Sequence, residues 1–168
     1  MTASAGEGER VLLGLDLGGT LIKAARFSAD GTLQAKVSAG SPADEGAESI
    51  LKALCGAAAS LLEGRPLAGA GIGAAGVIDP AAGRIVESPN LPALSGFLLG
   101  ERVREALGGV PVHLMNDANA AALGEYHAGA AADAESMFIL TLGTGIGGGF
   151  VAGGRIWEGV ASVGGEAG

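Results

Sequence analysis

The chain is poor in cysteine and in aromatic side chains. It has one cysteine among 168 residues, and aromatic residues make up 4% of the sequence. A single cysteine excludes an internal disulfide framework. Cys55 lies among Leu51, Leu54 and Ala58 at helical spacing, which favours a buried core thiol over a reactive one.

Positive charge and long apolar runs are also scarce. Ten Lys and Arg residues stand against 18 Asp and Glu residues, which gives a formal net charge of −8. Phosphate backbones are held mainly by Lys and Arg, so we expect no nucleic-acid partner. No apolar run approaches the ~20 residues of a membrane span, and residues 1–10 lack the basic start and apolar centre of a secretory signal. We therefore expect a cytoplasmic chain without a membrane partner, disordered over residues 1–10.

Glycine is abundant, with 32 residues, and it clusters directly after two apolar strands. Asp16-Leu17-Gly18-Gly19-Thr20 follows the run from Val11 to Leu15, and Gly143 to Gly149 follows the run 137–142. Backbone N–H groups of such turns can approach an anion without obstruction by a Cβ. With few cations available, these amides and Mg²⁺ would have to hold a polyphosphate. The two turns predict a nucleotide clamped from both sides.

Between the glycine turns, Asn116 and Asp117 stand at the end of a predicted strand and the start of a predicted helix. A carboxylate there is well placed to accept a proton, as phosphoryl transfer to an alcohol requires. The alternative for Asp117 is a helix N-cap, for which Asp is an ordinary choice. The residue alone does not decide between the two interpretations.

The apolar periodicity predicts an α/β fold that opens with three antiparallel strands, at 11–16, 21–28 and 33–38. Further predicted elements are helices over 44–62, 97–107 and 118–127, strands over 68–74 and 110–115, and a polar loop over 79–92. The order β-β-β-α-β-α-β-α indicates a mixed five-stranded sheet with helices on both faces, and not a simple alternation of strand and helix.

The strand pattern restarts after residue 134. Strands are predicted over 137–142, 148–152 and 155–157, and no helix follows to cover them before residue 168. An uncovered sheet is a poor way to end a domain. We therefore expect an N-terminal lobe over 11–134 and the first strands of a second, truncated lobe over 135–168.

Four segments, each weak alone, together carry a family resemblance. They are Leu15-Asp16-Leu17-Gly18-Gly19-Thr20, residues 71–79, residues 116–125, and residues 142–149 with the trailing Gly164 to Gly168. In this order and spacing they resemble the N-terminal half of the ROK sugar kinases, glucokinase-like members of the actin/hexokinase/Hsp70 ATPase-fold superfamily. The resemblance implies that the first lobe is ribonuclease H-like.

On the sugar side, the resemblance implies that Asp117 is the general base that takes the proton from the attacking hydroxyl. Asn116 would hydrogen-bond the sugar through its amide, which can donate and accept together, with a turn residue as the alternative. Gly76 would let the backbone approach the sugar, although this chain has Ala75 where the family often has Pro. Glu166 matches the Glu of the family's Glu-x-Gly-His segment, whose His is absent from the sequence.

On the donor side, the resemblance implies ATP and Mg²⁺, with Asp16 holding the metal through water. The phosphates would face Gly18, Gly19 and Thr20 from one lobe and Gly143, Thr144, Gly145 and Gly147 from the other. The alternatives are a plain hairpin turn and a flexible loop. Against the hairpin alternative, Asp16 is expected at the buried end of a strand, where a charge needs a compensating partner.

No other metal site is expected in the sequence. His113 and His127 fall on a predicted strand and helix with no acid or Cys at ligand spacing. The Cys-rich zinc loop of many ROK proteins would fall beyond Gly168, so zinc is possible only in a missing C-terminal part.

We therefore expect a fragment of an ATP-dependent hexose kinase that lacks the nucleotide-binding lobe and is poorly active alone. Two alternatives are a sugar-sensing ROK regulator, which would carry a helix-turn-helix before the first glycine turn, and a non-catalytic member of the superfamily, which would lack the Asn116–Asp117 pair. The motifs are shared by glucose, N-acetylglucosamine, N-acetylmannosamine, fructose and allose kinases, and they leave polyphosphate open as a donor. A homodimer is common among such enzymes.

Overall fold

The computed structural model describes residues 9–142 and 146–159. These residues form three α-helices, which are α1 (Ala47–Leu62), α2 (Leu99–Ala106) and α3 (Asp117–Ala128). The strands are β1 (Val11–Leu17), β2 (Leu21–Phe27), β3 (Leu33–Gly40), β4 (Leu67–Ala74), β5 (Val77–Asp79), β6 (Arg84–Glu87), β7 (Val112–Asn116), β8 (Ser136–Leu142), β9 (Ile146–Ala152) and β10 (Arg155–Ile156). None of the helices in this part of the chain is long and apolar enough to cross a membrane.

The largest sheet has five strands in the order β3-β2-β1-β4-β7. β1, β2 and β3 pair antiparallel, whereas β4 pairs parallel to both β1 and β7. The mixed five-stranded sheet predicted from the sequence is therefore confirmed, including its three opening strands.

One face of this sheet is covered by α1 and α2. In β1 the alternate residues Leu13, Leu15 and Leu17 are buried beneath them, as a strand with one core-facing side requires. They join Leu54 of α1 in one apolar core, and each fully buried Leu stabilises the fold by about 1.5–3 kcal/mol. Cys55 is partly buried against this core, and burial raises the pKa of its thiol.

The other face of the sheet is built largely from small residues. Gly14 in β1 and Gly69, Gly71 and Gly73 in β4 alternate along their strands with the residues that face the apolar core, and so lie on this face. α3 packs there over β4 and β7. Helices therefore cover both faces, as predicted, although a groove of about 740 Å³ beside α3 stays open over Gly71.

β8, β9 and β10 form a second, antiparallel sheet in the order β10-β9-β8. β8 and β9 pack against the side of α3 that faces away from the five-stranded sheet. α3 is thus held between two sheets.

The predicted polar loop over 79–92 is wrong in part, because it contains a β-hairpin. β5 and β6 pair antiparallel, with Ile78 opposite Ile85, and both side chains are buried. In the connecting turn, the Ala82 N–H donates to the Asp79 carboxylate at 3.0 Å and Gly83 has a φ of +61°. The Asp and Gly of this turn are signals that could have predicted the hairpin.

Two predicted helix starts are also wrong. Gly46, with a φ of +90°, separates a short 3₁₀ turn at Ala43–Glu45 from α1, so the helix begins at Ala47 and not at Asp44. Residue Phe97 lies outside α2 because its carbonyl accepts a hydrogen bond from the Ile85 N–H of β6 at 3.0 Å. A local glycine turn therefore takes the first residues assigned to α1, whereas pairing with β6 takes the first residue assigned to α2.

Arg26 ties β2 to the C-terminal end of α1. Its side chain is only 7% exposed, and it donates hydrogen bonds to the Leu61 carbonyl, to the Glu63 carboxylate at 2.9 Å and to the Gln34 side chain at 3.1 Å. A cation in this position satisfies a helix carbonyl that lacks a partner within the helix and complements the helix dipole. Hydrogen bonding to Arg26, and then its charge, lower the pKa of Glu63 below its ordinary value.

We predict that Arg26→Met lowers the free energy of unfolding by about 2–3 kcal/mol, because the buried Leu61 carbonyl loses its donor. Urea denaturation followed by circular dichroism measures the change. Arg65→Met is the matched control, since it removes an exposed cation near Glu63 and should cost less than about 0.5 kcal/mol. Equal losses in the two variants would contradict the structural role of Arg26.

Candidate functional site

The site begins with the close packing of α3 between the two sheets. On one side, a Cβ added at Gly73 of β4 would lie 3.3 Å from the Ala120 Cβ. On the other side, a Cβ at Gly149 of β9 would lie 2.7 Å from the Ala122 Cβ, closer than real Cβ atoms approach. Glycine in both sheets lets the helix backbone approach closely, which fixes the position of its N-terminus.

Asn116, the last residue of β7, is the N-cap of α3. Its Oδ1 accepts hydrogen bonds from the Ala118 N–H at 2.9 Å and the Asn119 N–H at 3.2 Å, and its Nδ2 donates to the Gly76 carbonyl at 3.1 Å. The amide oxygen therefore already accepts two hydrogen bonds, and one N–H remains free of these contacts. In the sugar contact that the sequence predicts, Asn116 would therefore donate the hydrogen bond.

Asp117 is the first residue of α3 and is exposed. Its Oδ1 accepts from the Ala118 N–H at 2.9 Å. The N-cap alternative is wrong for Asp117, because Asn116 occupies that position. A carboxylate in the first turn is stabilised by the positive end of the helix dipole and is available to a ligand.

Two cavities meet at this N-terminus. The wide cavity, of about 740 Å³, is bordered by Gly76 and Asn90. The narrow cavity, of about 420 Å³, is bordered by Asp16 at the end of β1. Asp117 and Thr141 line both cavities. Both volumes fall in the range of small-molecule sites, and the shared wall brings the two predicted acids to one cavity.

The structure corrects the expected burial of Asp16. Its side chain is 50% exposed, and its Oδ2 accepts from the Lys23 Nζ at 3.0 Å, directly across the β1–β2 pair. The compensating partner is therefore a solvent-exposed ion pair, which contributes little to stability. Because Asp16 is not buried, its charge is no argument against the alternative of a plain hairpin turn.

The turn between β1 and β2 consists of Gly18, Gly19 and Thr20. The Gly18 N–H donates to the Leu21 carbonyl at 3.0 Å, as in a tight hairpin. A Cβ at Gly19 would lie 3.1 Å from the Asn90 carbonyl oxygen. The turn thus packs against the rim of the wide cavity, and the amide–phosphate contacts of Gly18, Gly19 and Thr20 stay a prediction.

The backbone conformation and the packing of the chain require a glycine at position 76. Its φ is +118°, and a Cβ would collide with the Glu87 carbonyl oxygen. The Ser88 Oγ donates to the Ala75 carbonyl at 2.9 Å, so the loop after β4 is tied to the segment after β6 as well as to Asn116. The close backbone approach predicted at Gly76 is made to Glu87, and its sugar contact stays a prediction.

The second glycine turn is only partly described. Gly143, Thr144, Gly145 and Glu166 lie outside the described residues, as do residues 1–8 of the N-terminal segment expected to be disordered. Gly147 lies in β9, where a Cβ would lie 2.6 Å from the Thr141 Oγ1 and 3.3 Å from the Ala118 Cβ. Packing is therefore one reason for glycine at 147, and its phosphate contact stays a prediction.

The ROK family model matches residues 12–168 of the chain. This chain belongs to the ROK family. Its sequence is 36% identical over 157 residues to a glucokinase from Thermotoga maritima, an alignment that covers 94% of the chain and 49% of the relative.

Solved structures place the ROK chain in the same fold. It matches a ROK hexokinase from Thermus thermophilus with a TM-score of 0.83 at 44% identity, over 93% of the chain and 51% of that protein. It matches a ROK family glucokinase from Streptomyces griseus, solved in complex with glucose and AMPPNP, with a TM-score of 0.84 at 36% identity, over 93% of the chain and 49% of that protein. The chain spans about half the length of these relatives. The predicted fold class and family resemblance are confirmed.

Sequence reasoning missed three polar residues that line the cavities of this ROK chain, namely Glu87, Asn90 and Thr141. Glu87 and Asn90 come from the segment predicted as a loop, and recognising the β5–β6 hairpin would have brought them near Gly76. Thr141 lies in a correctly predicted strand. Its hydroxyl could not be assigned to a cavity until the packing of β8 on α3 was known.

We predict that Gly149→Ala destabilises the ROK chain by about 1–3 kcal/mol, because the added methyl group would overpack the α3 interface. Gly71→Ala is the matched control, since a Cβ there meets nothing within 4 Å. Thermal denaturation measures both. Gly71→Ala should unfold at or above the wild-type temperature, and an equal loss in both variants would show only a general cost of replacing glycine in a strand.

Proposed function

We propose that the protein carrying this chain transfers the γ-phosphoryl group of ATP to a hydroxyl of a hexose, with Asp117 as the general base. The observation that carries the proposal is the position of the Asp117 carboxylate. It is exposed at the N-terminus of α3, on the wall shared by the wide and narrow cavities. A general base takes the proton of the sugar hydroxyl while that hydroxyl attacks the phosphoryl donor. It must therefore lie at the boundary between the sugar site and the phosphate site.

The wide cavity suits the hexose. Its lining residues include two asparagines, Asn90 and Asn116, and two acids, Glu87 and Asp117. Sugars present many hydroxyls, each a donor and an acceptor, and side-chain amides and carboxylates match them. Gly76 and the remaining N–H of Asn116 complete this side, with Glu166 expected to add to it.

The narrow cavity suits the phosphates of the donor. Asp16 fits Mg²⁺ by its chemistry, because this ion needs only one or two carboxylates when it also keeps waters and binds phosphate oxygens. Among the described residues, no group of three or more His, Cys, Asp or Glu side chains could hold a metal, so Asp16 would act as the single acid. When bound, Mg²⁺ neutralises charge on the phosphate oxygens.

The chemistry of the chain's own residues follows from this arrangement. Asp117 accepts the hydroxyl proton as the sugar oxygen attacks the γ-phosphorus, and ADP leaves with the electrons of the broken P–O bond. The glycine turns at 18–20 and 143–147 would donate backbone N–H groups to phosphate oxygens. Asn116 would hold the sugar in line for the attack.

The proposal also covers the lobes, the location, the oligomeric state and the first substrate to test. Residues 11–134 form one lobe, and residues from 135 onward begin a second lobe that supplies the nucleotide site with the rest of a full-length enzyme. The enzyme is cytoplasmic and forms a homodimer. The glucokinase and hexokinase relatives support glucose as the first substrate to test, and they support a kinase over a sugar-sensing regulator.

We predict that Asp117→Asn lowers kcat about 10²–10⁴-fold in the full-length protein, because the amide cannot accept the hydroxyl proton. The KM for the hexose should change little. A coupled assay of glucose-dependent ADP formation measures both constants. Asp133→Asn makes the same chemical change at an exposed position beyond α3 and should keep wild-type turnover. Wild-type turnover by Asp117→Asn would remove this residue from the base role.

We also predict that Asp16→Asn raises the Mg²⁺ concentration needed for half-maximal rate by about tenfold, because a neutral amide binds the hydrated cation more weakly. Lys23→Met tests the ion-pair alternative, since it breaks the same 3.0 Å contact and leaves the carboxylate in place. Titration of Mg²⁺ at saturating hexose measures the effect. If both variants raise the Mg²⁺ concentration for half-maximal rate equally, Asp16 acts only as the ion-pair partner of Lys23.

A further inference from the structure

Thr141 lies where the end of β8 meets the start of α3. It is the penultimate residue of the strand, it pairs with Gly147 of β9, and its side chain is partly buried on the α3-facing side. It lines both the wide and the narrow cavity, as Asp117 does. Thr141 therefore belongs to the same shared wall as the proposed base.

Gly147 makes room for the Thr141 hydroxyl. A Cβ at position 147 would lie 2.6 Å from the Thr141 Oγ1, which is closer than the two atoms could approach. Any other residue there would push the Thr141 side chain away from its present position. Gly147 therefore leaves room for the present position of the Thr141 hydroxyl, and Thr141 itself stands on a strand, which is a rigid support for a residue that lines both cavities.

Two antiparallel strand pairs of the chain have the same strand lengths and the same length of connection. β1 and β2 each have seven residues and are joined by three, and β8 and β9 likewise have seven residues each and are joined by three. Asp16 is the penultimate residue of β1, as Thr141 is of β8. Both line the narrow cavity, one from each sheet. The two sheets thus present a carboxylate and a hydroxyl at equivalent positions.

The narrow cavity needs a neutral hydrogen-bond donor. Its polar side chains among the described residues are Asp16, Asp117 and Thr141, and two of these repel a polyphosphate. Thr141 is the one whose side chain can donate a hydrogen bond without adding charge. In phosphoryl transfer, charge spreads over the equatorial oxygens of the transferred group, where such a donor is most effective.

We propose that the Thr141 hydroxyl donates a hydrogen bond to a terminal phosphate oxygen of the phosphoryl donor, opposite Asp16 across the narrow cavity. This assignment rests on the proposed function and adds a phosphate-binding side chain to it. No bond is formed or broken at Thr141, which remains protonated throughout.

The test compares Thr141→Val, which removes the hydroxyl with little change of shape, with Thr141→Ser, which keeps it. In the full-length protein, Thr141→Val should lower kcat about 100-fold and raise the KM for ATP, while the KM for the hexose stays within about twofold. Thr141→Ser should recover most of the loss. Ile139→Val, on the same face of β8, is the packing control and should match the wild type.

A purely structural role gives the opposite order. Val suits a strand better than Ser does, so packing alone would leave Thr141→Val near wild type and make Thr141→Ser the poorer variant. That order would overturn the proposal. A shift in the pH profile of kcat/KM with an unchanged KM for ATP would also overturn it, because the hydroxyl would then be acting on Asp117.

A binding measurement separates this proposal from the proposed function. Isothermal titration of Mg²⁺–tripolyphosphate into the same proteins should show weaker binding for Thr141→Val and near-normal binding for Thr141→Ser. If the wild type phosphorylates no hexose, but tripolyphosphate binds normally to the wild type, nearly normally to Thr141→Ser and more weakly to Thr141→Val, the proposed function fails and the phosphate role of Thr141 stands. If the wild type phosphorylates a hexose and Thr141→Val is unaffected in both assays, the role of Thr141 fails alone. If the wild type binds no tripolyphosphate, the role of Thr141 also fails.

Discussion

The close approach of α3 to two sheets at once is the constraint on which the rest of the structure depends. Glycine in β4 and in β9 leaves no side chain between sheet backbone and helix, and the alanines of α3 fill the contacts on both sides. A helix in this position needs small residues on two opposite sides, and α3 has Ala120 towards β4 and Ala122 towards β9 in place of one apolar stripe. Its N-terminus consequently lies beside the ends of β1 and β8, and Asp117 is placed there by packing.

The fold could be predicted largely from periodicity, whereas the site could be predicted only in part. Alternation in β1 and helical spacing in α1 are local signals, and both elements form close to where those signals indicate. The β5–β6 hairpin is not predicted because its strands, of three and four residues, are too short to show a clear alternation. Residues 116 and 117 were identified correctly as a strand-to-helix junction, but only the structure shows that Asn116 is the cap and leaves Asp117 exposed.

Glycine shows the limit of such reasoning most clearly. A glycine that leaves space for a phosphate and a glycine that leaves space for a helix are the same letter in the sequence. Gly76 and Gly147 were both predicted as ligand-facing, yet each is already required by a neighbour within the chain, the Glu87 carbonyl and the Thr141 side chain. The charge of Asp16 was likewise read as a buried charge, when its partner Lys23 lies opposite it in solvent. Distances between elements far apart in sequence decide these cases.

β2 carries two cations on opposite faces of the sheet. Lys23 lies on the open face beside Asp16, and Arg26 lies under α1 at the Leu61 carbonyl. Because side chains alternate along a strand, a slip of β2 by one residue past β1 would exchange these faces. Lys23 would then take the place of Ile22 or Ala24 in the apolar core, where an ammonium without a partner is costly, and Arg26 would lose its contacts under α1. The two cations on opposite faces therefore favour the observed register of β2 on β1 over one shifted by a single residue.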